Sequence, residues 1–546
     1  MSVSFMSNVL LTGLIFLPLL GNVASTLLWS YTRNQLFSWV PRGLSVGLVL
    51  AVAWVLRGQS IEQIIGGWQP VSLTGSPLIL ADNLSGHALL IAWVSVHFYE
   101  AYVRRNDSRD WRLTDGVIAG AIHLAVVVTA FAQNFVTLLI GLGLIDLLTE
   151  LRALQSRQHE GRRNTNLLFM ASSLAMLTAG MVLHVAQYNS LYFPLARLGP
   201  QTANLLFIGL ALRLWLLPIH TPQVSYLSVS STASAALPGW IAHGLGTLLL
   251  IDQLSRVGLG APPTWLVLLL LVSALLMLAQ GVITQVPERA RHALLVGTFQ
   301  LACLCMLQRD IKLIAAAGIA WLLSNLLINH RPTANVSIAV RFGQLARLFG
   351  VACLAGIPFT VGFVGRAGLA EEFIRTGGLG LLPVILMTLA QAAAITVALR
   401  IALNIPIEVS ASESAVTTVS LIPGLLAFLV VCAPSILFGL APTLLGLSNG
   451  PLGRAGVWSW FTSVIALALG VGLWWLESRW FDRIEARVNT LESVLSLHWL
   501  RSIFAGALER LAKPLRTVFP FLESDGAMLW AVMVVLLLVA ISRGNP

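Results

Sequence analysis

Long apolar runs separated by short polar stretches recur along the whole chain. A helix needs about 20 apolar residues to cross ~30 Å of hydrocarbon, and about sixteen runs approach that length. The pattern therefore predicts an all-α polytopic membrane protein with about 14–16 transmembrane helices. The predicted spans are residues 9–30, 40–56, 84–103, 114–133, 135–152, 167–188, 203–218, 230–251, 264–284, 290–307, 311–329, 344–364, 379–403, 419–445, 457–477 and 526–542.

One apolar run, GLALRLWLLPIHTP at residues 209–222, combines a charge with a helix breaker. Arg213 lies within it, and Pro218 and His220 follow. A charge at the centre of a bilayer helix costs ~2.5–3.5 kcal/mol on insertion scales. A proline inside the helix frees backbone carbonyls that need other partners. The two features together favour a site that handles ions or protons.

A second interrupted run, CLAGIPFTVGFVGR at residues 353–366, contains Gly356 and Pro358 before Arg366. Unwound backbone is tolerated at membrane depth where it is buried or lines a wet cavity. Interrupted helices at corresponding places in two halves are typical of a transporter core built from inverted repeats. The alternative for each interruption is an ordinary proline kink in a packing helix.

The apolar residues of segment 478–516 follow a helical period, and charged residues occupy the other positions. This pattern predicts an amphipathic lateral helix, which would extend ~50 Å at 1.5 Å per residue. The complete predicted organisation has six parts. These are N-terminal helices at 1–110, a first repeat at 111–256, a second repeat at 257–405, C-terminal helices at 406–477, the lateral helix at 478–524 and a final transmembrane helix at 525–546.

The chain carries a net charge of +10, from 33 Lys+Arg against 23 Asp+Glu. In a membrane protein this excess indicates topology, and no nucleic-acid partner is expected. The basic residues concentrate in alternate loops, such as those around residues 104–112 and 152–163. The positive-inside rule then places these loops in the cytoplasm and the N-terminus outside. The predicted location is a bacterial inner membrane, which the chain would cross several times.

The sequence contains no haem, iron–sulfur, Walker or dinucleotide motif, so no cofactor and no metal are expected. All four cysteines have apolar neighbours, and Cys303 and Cys305 form the only close pair. They are interpreted as small buried hydrophobic residues, with a metal or redox site as the alternative.

Several of these segments resemble antiporter-like membrane subunits, a family found in respiratory complex I, Mrp-type cation/proton antiporters and energy-converting hydrogenases. Residues 66–70 (GGWQP) and 81–85 (ADNLS) are similar to the start of the family's third helix. Run 209–222 resembles its broken helix with the pattern Lys-x4-Pro-x-His, and residues 355–366 resemble its AGIPP-x-x-GF-x-x-K segment. The resemblance covers most of residues 60–405, and the chain is a divergent member by these motifs. The C-terminal amphipathic segment resembles a shorter form of the lateral helix of the most distal complex I subunit.

The departures from the family pattern affect its proton path. The resemblance implies a glutamate in the fifth helix and lysines in the broken and central helices. Those positions are occupied here by Gly143, Arg213, Ser324 and Arg366. Asp146 and Glu150, one and two turns after the glutamate position, are the nearest acids. Arginine does not release its proton, so the two arginines would act as fixed charges that hold an anion, pair with a carboxylate or bias a neighbour.

The remaining titratable groups in or beside spans supply candidates for a proton or ion path. The complete set of path candidates is Arg213, His220, His243, Asp146, Glu150, His123, Arg366 and His292. Histidine titrates near neutral pH, so a histidine relay is chemically possible. The alternative for each histidine is a hydrogen-bonded packing role. The alternative for Asp146 and Glu150 is a helix end paired with Arg152 near a basic loop.

The resemblance implies a membrane subunit of a complex I-like or Mrp-like assembly. It would translocate protons or monovalent cations, coupled to a partner's redox reaction of the NADH–quinone oxidoreductase type. Whether the chain counts as an enzyme stays open, because it would be at most a subunit without a redox centre. Its partners would be other membrane subunits, the lipid bilayer and the transported ion. Two alternatives are a non-conducting structural subunit with a degenerate path and a partner in inorganic-carbon uptake.

Overall fold

A computed structural model describes most of the central part of the chain. It covers residues 113–155, 163–188, 198–216, 233–284, 286–307, 311–328, 337–376, 381–404, 432–437, 439–441 and 456–495, with two short strands and scattered residues between 16 and 48. The predicted spans at 40–56, 84–103 and 526–542, apart from isolated residues, lie outside the described residues, and so does the lateral segment beyond residue 495.

Thirteen α-helices are numbered here in chain order. They are α1 Leu113–Ala130, α2 Phe135–Gln155, α3 Arg163–Tyr188, α4 Pro200–Arg213, α5 Ala233–Arg256, α6 Thr264–Ile283, α7 Pro287–Leu307, α8 Ile311–Ile328, α9 Ser337–Ala355, α10 Val361–Arg366, α11 Leu369–Thr376, α12 Leu382–Leu399 and α13 Val457–Leu495. A π-helical turn, Arg400–Asn404, continues α12. Strands β1 Glu62–Ile64 and β2 Ile79–Ala81 pair antiparallel, with Glu62 opposite Ala81.

The prediction of an all-α polytopic membrane protein is confirmed. Nearly every described helix lies within a few residues of a predicted span, because each run of Leu, Val and Ala is bounded by polar residues or proline. Proline marks several helix starts, for example at Pro200 and Pro383, where its missing N–H has no helical partner to lose. Within the described part, five helices are long and apolar enough to cross a membrane.

The described helices can be divided into two successive stretches of five members each. The first contains α1, α2, α3, α4 and α5, and the second contains α6, α7, α8, the interrupted pair α9–α10 and α12. In each stretch the fourth member ends within an apolar run. If every member crosses the bilayer, an odd number of crossings separates equivalent helices and reverses their direction, as an inverted repeat requires. Helix α5 of the first stretch packs against α7 and α8 of the second.

Three buried glutamines satisfy the carbonyl groups that helix ends leave without intrahelical partners. The Nε2 atom of Gln253 donates to the Ala130 carbonyl at the end of α1, at 2.7 Å. Gln300 does the same for Trp215 after α4, at 2.8 Å, and Gln391 for Ala355 at the end of α9, at 2.7 Å. Such groups are costly when left unpaired in an apolar interior. The glutamines therefore allow helices to end inside the bundle.

The C-terminal helix differs from the prediction of a span that stops at residue 477. Helix α13 runs without interruption from Val457 to Leu495, so the first part of the amphipathic segment continues the spanning helix. Its 39 residues extend about 58 Å at 1.5 Å per residue, well beyond ~30 Å of hydrocarbon. The helix contains no proline that would bend it after the span. Composition changes at residue 477, whereas the backbone hydrogen-bond pattern does not.

Candidate functional site

The first broken helix, α4, ends at Arg213. The next N–H, that of Leu214, turns back to the Ala211 carbonyl at 3.2 Å, and Trp215 adopts a left-handed φ of 52°. Side chains of α7 and α3 hold this irregular end: the Gln300 amide donates to the Leu214 and Trp215 carbonyls, and Ser173 donates to the Gly209 carbonyl. The break is therefore a supported structure and not a frayed end.

Arg213 and Asp146 form a buried bidentate ion pair between α4 and α2. The two guanidinium nitrogens Nη1 and Nη2 lie 2.7 Å and 2.6 Å from the carboxylate oxygens Oδ2 and Oδ1. The Arg213 side chain is fully buried and the Asp146 side chain is 10% exposed. Parallel fork-to-carboxylate hydrogen bonds are the strongest pairing geometry for these groups. The pair cancels two charges that would otherwise be uncompensated at membrane depth.

His243 of α5 completes a three-residue cluster, which we call the Asp146 site (Asp146, Arg213 and His243). Its Nδ1 atom lies 3.1 Å from the Asp146 Oδ1 atom. Thr247, one turn later, lies 3.4 Å from Arg213 Nε and donates its hydroxyl to the His243 carbonyl. Among the described residues, no hydrogen-bond partner reaches His243 Nε2. The site therefore holds a fixed positive charge, a carboxylate and a titratable ring within hydrogen-bond distance.

The Asp146 site brings together three of the eight predicted path residues. Asp146 pairs with Arg213, 67 residues away in sequence. The side chain of Arg152, the alternative partner, lies outside the described residues. The carboxylate follows Gly143 by one turn of α2, and the space beside Gly143 is open apart from Leu174 at 3.7 Å. Glu150 is also buried, one further turn along α2. The acid is thus displaced by one turn from the position that the resemblance implies.

The other predicted path residues lie elsewhere. His123 on α1 and His292 on α7 are both buried. Arg366 lies at the second break, described below. Pro218 and His220 lie outside the described residues. The four cysteines are buried free thiols.

A column of aromatic rings leads from the Asp146 site toward the second break. The Trp215 ring stacks on His243 with centroids 5.0 Å apart, and Phe299 follows at 4.9 Å. Trp321 contacts Phe299 at 5.2 Å and donates its indole N–H to the Leu295 carbonyl. Stacked and tilted rings at these distances pack favourably and leave little room for water. The column therefore separates the Asp146 site from the second break by an apolar layer.

The second broken helix consists of α9, an irregular connection at 356–360 and the short helix α10. Gly356 and Phe359 both have left-handed φ values, 67° and 69°. The Thr360 hydroxyl caps α10 by accepting the Phe363 N–H. Arg366 at the end of α10 folds back and donates to the Leu354 carbonyl. Gln391 donates to the Ala355 carbonyl here, so a glutamine supports the interrupted end at both breaks.

Three further contacts involve polar residues that the sequence pattern leaves at helix ends. Glu371 caps the start of α13, because one of its carboxylate oxygens accepts the Ser459 N–H at 2.7 Å and the other accepts the Ser459 hydroxyl. Its neighbour Glu372 forms an exposed ion pair with Arg375. Arg400, after α12, pairs with Glu477 of α13 at 2.7 Å and donates to the Val282 carbonyl. The Glu371 and Arg400 contacts attach α13 to α11 and to the end of α12.

The fold of this chain also occurs in chains of several solved complexes. No protein-family model matches the sequence, and no curated protein matches it. The fold is that of a chain of the Mrp complex from Dietzia sp. DQ12-45-1b, with a TM-score of 0.69 and 15% identity over 97% of this chain. This chain spans 62% of that one.

Two respiratory assemblies contain chains of the same fold. One is respiratory complex I from Thermus thermophilus with bound NADH, with a TM-score of 0.61, 15% identity and coverage of 84% of this chain and 99% of that one. The other is the membrane-bound sulfane sulfur reductase, an archaeal respiratory membrane complex, with a TM-score of 0.65, 14% identity and coverage of 96% and 99%. The predicted antiporter-like fold is confirmed by these structures.

Proposed function

We propose that this chain is a membrane subunit of a complex I-like or Mrp-like assembly and that it translocates protons through the Asp146 site. Its partners would be the other membrane subunits, and redox chemistry would belong to them. The observation that carries this proposal is the buried cluster of Asp146, Arg213 and His243 at the end of a broken helix. Ionisable groups in this setting are expensive, and they mark ion and proton pathways in membrane proteins.

In this proposal His243 carries the proton. Arginine keeps its charge, so Arg213 cannot relay a proton, whereas imidazole can accept one at Nε2 while Nδ1 donates to Asp146. Protonated His243 and Arg213 compete for the same carboxylate, because both approach the Oδ1 atom of Asp146. Movement of Arg213 away from Asp146 would favour proton uptake by His243. Its return would place two positive charges together and favour proton release.

His243→Asn tests this assignment. The asparagine amide reaches the position of Nδ1 and can still donate to Asp146, but it cannot titrate. We expect proton flux in vesicles that contain the assembled complex to fall at least about a hundredfold, with assembly unchanged, which is the low end for loss of a proton-transfer group. Arg375→Gln, which alters an exposed ion pair far along the chain, is the matched control and should keep full flux. Unchanged flux in His243→Asn would contradict the proposal.

A second function, a non-conducting structural subunit, is favoured by the aromatic column and by Ser324. The column places three apolar rings between the two breaks. Buried Ser324 occupies the position where the family pattern has a lysine, and it offers no charge to a proton path. Absence of flux from the wild-type complex, under conditions where a partner's reaction proceeds, would support this function and reject translocation.

We further propose that the N-terminus lies outside a bacterial inner membrane. Helices α1 and α2 are joined by a short connection and pack together, so their other ends lie on one side. Arginine-rich stretches at 104–112 and 152–163 adjoin those ends, and the positive-inside rule makes that side cytoplasmic. Three predicted spans precede residue 104. A cysteine added at the N-terminus should therefore react with an impermeant maleimide in intact cells, and protection of this cysteine would reverse the assignment.

A further inference from the structure

Trp215 has a backbone conformation that is rare for a bulky residue. Its φ of 52° lies in the left-handed region, which glycine adopts at low cost and a large side chain does not. Strained residues of this kind persist where the surrounding structure holds them, and they cluster at functional sites. Trp215 is only 1% exposed. Contacts inside the protein therefore impose the strain.

Two neighbouring residues of α7 hold Trp215 in this conformation. The Gln300 amide donates to the Leu214 carbonyl at 3.2 Å and to the Trp215 carbonyl at 2.8 Å, so it fixes the backbone on both sides of the peptide bond. The Phe299 ring lies 4.9 Å from the Trp215 ring, at an angle of 49°. Gln300 and Phe299 are themselves fully buried. The indole of Trp215 is therefore held in one orientation.

The indole of Trp215 lies over the imidazole of His243. The two ring centroids are 5.0 Å apart, and the ring planes differ by 28°. The χ2 torsion of a histidine has only a broad preference of its own, so an isolated ring can take many orientations. Stacking on a fixed indole restricts the imidazole to the plane in which its Nδ1 atom lies 3.1 Å from Asp146 Oδ1. Trp215 thus sets the orientation of His243 relative to Asp146.

The same contact acts on the charge of His243. A cation within about 6 Å of an aromatic centroid is attracted by the face of the ring, and tryptophan gives the strongest attraction. The attraction grows when the pair is removed from water, and His243 is only 3% exposed. Among the described groups, the charges that act on His243 are those of Asp146 and Arg213, which oppose each other. The indole therefore stabilises a protonated His243 without adding a further charge.

We propose that Trp215 is a positioning residue for proton transfer at the Asp146 site, where it fixes the ring plane of His243 and stabilises the protonated ring. This inference rests on the proposed role of His243 as the proton carrier. Without the indole, His243 still reaches Asp146, but its ring is less restricted and it binds a proton only at lower pH. The strained backbone at Trp215 is the structural cost of placing the indole over the imidazole.

Trp215→Leu tests the inference, because it removes the ring and keeps an apolar side chain. We expect the pH midpoint of proton flux in vesicles and the pH midpoint of His243 protonation both to move about one unit to lower pH. Protonation is followed in the assembled complex by NMR of nitrogen-labelled histidine, where the His243 signal is the one lost in His243→Asn. Trp215→Phe keeps a weaker aromatic face and should shift both midpoints by less. It also serves as the test if Trp215→Leu does not fold.

Trp321→Leu is the matched control, because it makes the same change in the aromatic column at a ring that contacts Phe299 and not His243. Both midpoints should stay at their wild-type values in this variant, even where the unfolding temperature falls. Equal shifts in Trp215→Leu and Trp321→Leu, or no shift in either Trp215 variant, would overturn the role of Trp215 alone.

Two other outcomes concern the proposed function. A His243 signal that stays neutral between about pH 5 and pH 8, where histidine ordinarily titrates, would reject proton binding at His243 and with it both proposals. Absence of flux from the wild type would reject translocation, and the NMR midpoints would still decide whether Trp215 acts on His243.

Discussion

Asp146→Asn should destabilise the protein by about 3–5 kcal/mol and abolish proton flux. The variant leaves the Arg213 guanidinium buried, with a neutral amide in place of its carboxylate partner. Removal of one member of a buried ion pair has this cost because the remaining charge is uncompensated. Flux fails as well, because His243 loses the carboxylate that stabilises its protonated form. Thermal unfolding in detergent and flux in vesicles measure the two effects separately.

A double variant separates stability from transport. Asp146→Leu combined with Arg213→Met replaces both charges by apolar groups, which is often neutral or stabilising for a buried pair. We expect it to recover most of the stability lost in either single variant and to remain inactive in flux. Arg213→Ala alone should also be inactive with the complex still assembled. Wild-type stability or flux in Asp146→Asn would show that the ion pair is not important in the membrane.

Gly362→Ala should be the most damaging single methyl addition at the second break. A Cβ atom at this position would lie 1.7 Å from the carbonyl oxygen of Cys353. Because the obstacle is backbone, relief requires α9 and α10 to move apart. We expect a loss of at least about 3 kcal/mol, the upper part of the range for overpacking, seen as a lower unfolding temperature or as failure to assemble.

The matched control is Gly472→Ala in α13, where no atom lies within 4 Å of the added Cβ. Alanine favours a helix over glycine by roughly 0.5–1 kcal/mol, so this variant should be neutral or slightly stabilising. Equal unfolding temperatures for the two variants would mean that α9 and α10 are not in backbone contact at Gly362.

The sequence predicts the helices well because bilayer helices are selected by local composition. Helix α6, for example, spans Thr264–Ile283 against a predicted 264–284. The break at Gly356 and Pro358 is equally local, since both residues disfavour a continuous helix. The prediction is less accurate for α4, which ends at Arg213 although the helix-breaking proline lies at 218. Gln300, from a distant helix, supports this earlier end because its side-chain amide donates to the Leu214 and Trp215 carbonyls.

Contacts between distant residues could not be predicted in the same way. Asp146 is close in sequence to Arg152, and its pairing with Arg213 follows from the packing of α2, α4 and α5 around one point. Glu371 has the sequence context of a solvated helix end, yet it caps a helix that begins 86 residues later at Val457. Gln300 and Gln391 could have been found from the sequence, because each is a polar side chain inside an apolar span. They share this feature with the predicted site residues.

The sequence by itself determined a membrane protein of many helices, with two interrupted spans that each carry an arginine. Hydrophobic length, proline, glycine and charge act locally, so these features are readable without a structure. Only the tertiary structure decided which group each charge meets: Arg213 is neutralised by Asp146 beside His243, and Arg366 turns back to the Leu354 carbonyl. The reason is that electrostatic energy depends on distance and burial, and packing alone sets both.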